Sequence, residues 1–242
     1  MLNNVLIEVC CGTLQDVQTA IRQPIDRIEL NTALELGGLT VNPALLQAVK
    51  KITKLPVCCM VRPRTGGFYY TQEEFELMLR QAEDLLKAGA DGIVFGFLNE
   101  DCTVNREYTA KMVRLIKNYN REAVFHKAFD LTDMSEAIGV LVDLGIDRVL
   151  TSGGNNYPYI LNGAPLLRRL TIRYDGLIQI LPGGGVRAEN VAELLQTTGL
   201  SQVHCSASKR IYDPTDPAVS YQAVDEDILI GILTAISHIR NR

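Results

Sequence analysis

A short apolar run, a polar or glycine-rich turn and an amphipathic stretch follow one another eight times along the chain. No other feature limits the possible folds as tightly. The apolar runs predict strands over residues 5–10, 27–30, 56–61, 92–95, 122–126, 148–151, 177–181 and 202–205. Between and after them, apolar residues at helical spacing predict helices over 14–22, 43–53, 72–88, 107–119, 134–144, 164–174, 188–196 and 228–239. Gly89, Gly145 and Gly199 stand where left-handed helix ends are expected before the next strand. Asp225 and Glu226 suit the start of the last helix, where a cap and negative charge are favourable. Eight such units in 242 residues match an α/β chain folded as a single-domain (β/α)8 TIM barrel over 1–242. A doubly wound open sheet would normally carry a glycine fingerprint after its first strand. Cys10-Cys11-Gly12-Thr13 is not one. No linker or low-complexity segment divides the chain, and residues 206–224, between the last strand and helix, are expected as a long loop at the functional end.

Side chains alternate along a strand, so the charges near strand ends can be sorted by parity. Glu8 shares a face with Cys10, Glu29 with Asn31, and Arg62 with Cys58 and Met60. Arg64 follows beyond Pro63, and His204 is in step with Ser206. In Phe125-His126-Lys127-Ala128-Phe129-Asp130, His126 and Asp130 share a side, as a general acid/base and its orienter would. Glu8, Glu29, Arg62, Arg64, His126, Asp130 and His204 thus form a candidate catalytic pocket at the C-terminal end of the barrel. The bland alternative is a paired network, with Glu8–Arg62 and Glu29–Arg64 as its salt bridges, His126 satisfied by a carbonyl and Asp130 capping a helix. Buried pairs seldom improve on apolar packing, which favours a pocket. Gly183, Gly184 and Gly185 after the seventh strand, near Asn190, form a candidate anion site, with Thr151-Ser152-Gly153-Gly154 as a similar turn.

Composition excludes several classes. A net charge of −4 argues against a general nucleic-acid binder. No apolar run is long enough for a membrane span, and Met1-Leu2-Asn3-Asn4 does not resemble a secretory leader. Four of the six cysteines form the adjacent pairs Cys10-Cys11 and Cys58-Cys59, a poor layout for a disulfide framework. Reduced thiols in the cytoplasm are therefore expected. Strand alternation separates the members of each pair, and no C-x-x-C spacing occurs, so a preformed thiolate cluster is not expected.

The motifs as a set resemble the CutC family. They are Ile7-Glu8-Val9-Cys10, Arg27-Ile28-Glu29-Leu30, Gly37-Gly38-Leu39-Thr40, Val61-Arg62-Pro63-Arg64 and Gly66-Gly67-Phe68-Tyr69-Tyr70. They continue through Phe125–Asp130, Leu150-Thr151-Ser152-Gly153, Gly183-Gly184-Gly185-Val186 and Val203-His204-Cys205-Ser206. The resemblance implies a TIM barrel associated with copper homeostasis, with copper as ligand and Cys10 as a metal ligand at the end of the first strand. The family's second cysteine, after Glu-Leu, is Asn31 here, and an amide is a poor ligand for Cu(I). Lys127 stands where the family usually has arginine, which keeps the charge but not bidentate bonding. Two readings follow: a copper-associated protein binding Cu(I), or a barrel enzyme acting by acid/base chemistry on a small anionic, phosphorylated or similar, substrate. In the second, Arg62 and Arg64 hold the anion, Glu8 or Glu29 moves a proton and His126 assists. A homo-oligomer is compatible with both.

Overall fold

A computed structural model describes residues 1–155 and 158–239. Eight parallel strands form the barrel wall: β1 (Leu6–Cys11), β2 (Arg27–Leu30), β3 (Val57–Met60), β4 (Gly92–Phe95), β5 (Glu122–Phe125), β6 (Arg148–Thr151), β7 (Gln179–Pro182) and β8 (Gln202–Cys205). The helices alternate with them: α1 (Leu14–Ala20), α2 (Pro43–Ile52), α3 (Gln72–Lys87), α4 (Arg106–Asn118), α5 (Met134–Asp143), α6 (Ala164–Arg173), α7 (Val191–Thr198) and α8 (Glu226–Ser237). Hydrogen bonding runs β7-β6-β5-β4-β3-β2-β1-β8. At the remaining seam, Gln202 Nε2 donates to Ile180 O at 3.0 Å, so a side chain bridges β8 and β7. The expected TIM barrel is the observed one.

Local chemistry sets the ends of these elements. Thr71 and Glu74 make a reciprocal capping box at the start of α3. Asp225 caps α8 by accepting from Ile228 N at 3.0 Å. Gly89, Gly145 and Gly199 are left-handed, with φ of 101°, 79° and 75°. Residues 206–224 differ from the expected loop: β9 (Ser208–Tyr212) and β10 (Ser220–Val224) pair antiparallel there. None of their residues is fully buried, so no alternation between a core face and a solvent face marked them as strands.

Two cores result from strand parity. The larger lies between strands and helices and contains Val9, Cys11, Cys59 and Cys205. Inside the barrel, Cys58, Met60, Val94 and Val124 form a second, small apolar cluster, and buried polar residues share the interior with it. Arg148 is fully buried and donates to Glu122 Oε2 at 2.7 Å and Gln179 Oε1 at 3.0 Å, closing the lower barrel.

Candidate functional site

Inside the barrel, from the first residues of β2 and β8 up to the end of β1, strand register brings the polar residues together, deeper than the expected C-terminal rim. Glu8 is level with Arg27 on β2 and His204 on β8, and Cys10 with Glu29. Glu8 accepts from the Arg27 Nε–H and lies 2.7 Å from His204 Nδ1. Arg27 also donates to Gln202 Oε1 at 3.1 Å. His204 Nδ1 is 4.0 Å from Glu29 Oε2, a buried oxygen without a hydrogen-bond partner. Asn31 Nδ2 donates to Glu29 Oε1 at 2.9 Å and approaches Cys10 Sγ at 3.4 Å, so it orients both. One ligand atom each from Cys10, Glu29 and His204 lies within 4.8 Å of the others, and all three residues are buried.

Burial and charge set the protonation of this group. Burial works against the Glu8 carboxylate, but the His204 hydrogen bond and the Arg27 charge outweigh it and hold Glu8 near 2. Burial opposes the imidazolium of His204 too, yet Glu29, Cys10 and Glu8 keep it well above its usual value. Burial pushes the Cys10 thiol up to about 12, against the pull of His204, and raises Glu29 as well. The resting arrangement is an imidazolium between two carboxyl groups, beside a protonated thiol.

A second group sits over β3, β4 and β5. The Arg62 guanidinium donates to the carbonyls of Leu36, Gly37 and Gly38 at 3.1–3.2 Å and of Gly66 at 2.8 Å. Its backbone is tied to Thr40, which fixes where the side chain starts. Phe68 lies under the guanidinium, 5.3 Å from its carbon, and against the His126 ring at 4.6 Å. His126 packs on bare backbone at Gly96, where a Cβ would come within 2.5 Å of the ring. Gly96→Ala is therefore expected to displace His126 and cost about 1–3 kcal/mol by overpacking, measurable by urea unfolding. An unchanged midpoint would show that the ring has room to yield.

The structure rearranges several sequence expectations. Glu8, Cys10, Glu29 and His204 do converge, as parity implied. Neither Glu8–Arg62 nor Glu29–Arg64 is a pair: Arg27, two residues before Glu29 and on the same face, takes Glu8 instead. Arg64 turns onto Glu74 in the first turn of α3 and onto Tyr69 O, away from the strand ends. His126 and Asp130 are not partners. The chain turns into a 3-10 helix at Lys127–Leu131, ending the extended parity, and His126 Nδ1 accepts from Ala128 N at 3.1 Å. Asp130 instead accepts from the Thr151 hydroxyl and from Ser152 N and Oγ, tying the two loops together. In the glycine turn, Gly183 N–H donates to Thr151 O, which extends the sheet. Asn190 closes the turn by donating to Gly185 O and accepting from Arg187 N, both at 2.9 Å. Arg27, Arg148 and Gln202 were missed because they open apolar runs. Their position an even number of residues before an inward residue was the available signal.

Comparison with known proteins agrees with this architecture. Residues 5–209 match the CutC family. A family protein CutC of Treponema denticola is 40% identical over 224 residues, covering 91% of this chain and 89% of that protein. A human copper homeostasis protein cutC homolog is 38% identical over 206 residues, covering 85% of this chain and 74% of the human one. The crystal structure of a CutC protein from Streptococcus agalactiae has a TM-score of 0.77 at 29% identity, covering 84% of this chain and 98% of that chain. The chain belongs to the CutC family.

Proposed function

We propose that this protein serves copper homeostasis by holding a copper ion as cargo at Cys10, Glu29 and His204. The carrying observation is the approach of these three ligand atoms to within 4.8 Å in a buried site. Their chemistry fits the ion once it displaces the thiol proton of Cys10 and one ring proton of His204: the thiolate is then a soft ligand, neutral imidazole suits copper, and the unpartnered Glu29 oxygen is available to complete the set. Asn31 orients Cys10 and Glu29 rather than ligating. Six unpaired cysteines, five of them buried, are in keeping with work in the reducing cytoplasm. Among the described residues, no helix is long and apolar enough to cross a membrane.

Competition with a Cu(I) chelator tests the reading. The unaltered protein should take up one Cu(I), and Cys10→Ser should abolish uptake while circular dichroism stays unchanged. Because the site has one thiolate, Asn31→Cys is expected to tighten binding by about tenfold or more, about 1.4 kcal/mol. Uptake that survives Cys10→Ser, or none in the unaltered protein, would remove the proposal.

A further inference from the structure

Arg62 is a buried cation without a buried anion. It is only 7% exposed, yet among the described residues no carboxylate pairs with it, and main-chain carbonyls hold its two terminal nitrogens. Neutral carbonyls satisfy N–H groups but do not cancel a charge, and an uncompensated buried charge is costly. Its Nε–H is buried and has no hydrogen-bond partner, and the nearby Tyr70 hydroxyl, which feels the guanidinium, is likewise buried and unpartnered. The same is true of His126 Nε2, whose ring also touches Phe68 and feels the Arg62 charge.

The state of His126 follows from its neighbours. Ala128 N–H donates to Nδ1, so that nitrogen carries a lone pair and the proton of the neutral ring is on Nε2. Burial, reinforced by the nearby Arg62 charge, pushes the ring down to about 3 and keeps it neutral. Nε2 is therefore a donor, and a neutral imidazole donor is a known device for polarising a ligand oxygen. Gly96 and Phe68 fix the ring orientation before any ligand arrives.

We propose that Arg62 and His126 form a binding site for a small carboxylate, with Arg62 Nε–H and His126 Nε2–H each donating to an oxygen. The ligand supplies the missing negative charge and satisfies both buried donors, while Phe68 offers an apolar wall for a short carbon chain. The site shares no residue with the proposed copper site and stands independently of it.

With only three histidines in the chain, nitrogen-15 imidazole spectra of the metal-free protein resolve the question directly. The His126 signals, assigned by their loss in His126→Gln, should show a lone pair on Nδ1 and a proton on Nε2. Acetate and succinate should shift the Nε2–H resonance saturably, at constant ionic strength held with chloride. Arg62→Met should weaken acetate at least tenfold, and Arg62→Lys, which retains the charge but loses Nε–H, should weaken it less. A proton on Nδ1, no response to either carboxylate, or a response to phosphate and sulfate alone would each overturn the proposal. If Arg62→Met fails to fold, the tautomer and the carboxylate titration of the unaltered protein still decide.

Discussion

Arg27→Met should lower the unfolding free energy by about 3–5 kcal/mol, because it leaves a buried carboxylate with His204 as its one remaining hydrogen-bonded cation. The side chains of Arg27 and Glu8 are 5% and 2% exposed, so solvent cannot take over the lost role. Methionine keeps much of the volume, which confines the change to charge and hydrogen bonding. Gln202 Oε1 would lose its donor as well. His204 would remain on Glu8 and limit the damage, which favours the lower part of that range. Urea unfolding checks this, provided the denaturant slope is unchanged. The double variant Arg27→Met/Glu8→Gln should lose less than the sum of the two single losses, since the second change removes the stranded charge. A loss below about 1 kcal/mol for Arg27→Met would show that the pair adds little beyond a neutral contact. Arg62→Met differs in kind, because no carboxylate is stranded. There the loss of bonds to four carbonyls is offset by removal of an unpaired buried charge.

Acid should destabilise the protein through His126 within a definite window. Its folded pKa is lowered from 6.5 to about 3, mainly by burial. Above 6.5 the ring is neutral in both states and its contribution to stability is complete. As the pH falls below 6.5 the unfolded chain takes up a proton that the folded chain refuses. Stability then drops by about 1.4 kcal/mol per pH unit until the folded ring protonates near 3. Between roughly pH 6 and pH 4 the expected loss is about 3 kcal/mol. His126→Gln should remove this slope, whatever constant offset the lost packing on Phe68 introduces. Other groups act elsewhere. Raising His204 gives stability that is complete below 6.5 and lost as the pH climbs through its folded value. The lowered Glu8 gives stability that is lost as the pH falls from 4.5 towards 2. The difference between His126→Gln and the unaltered protein, in urea unfolding at several pH values, isolates the contribution. Parallel curves above roughly pH 5 would show that the folded ring accepts a proton freely.

The order of elements and the barrel were legible because each depends on local periodicity. A strand buried on both faces reads as a short apolar run, and a helix against it as a 3.6-residue pattern, wherever the chain later goes. The hairpin of β9 and β10 was illegible for the same reason, since neither strand has a fully buried residue. Parity also placed Glu8, Cys10, Glu29 and His204 on the inside correctly, because a strand allows only two choices. Parity says nothing about neighbours across the sheet. Only the register of β1 with β2 and β8 decided that Glu8 meets Arg27 and His204 rather than Arg62. Only the turn after β5 separated His126 from Asp130, since a 3-10 helix cancels the alternation that placed them together. The charge on Arg62 was plain in the sequence. That it is buried without a counter-ion, held by carbonyls 24–26 residues earlier, is a property of the folded chain alone.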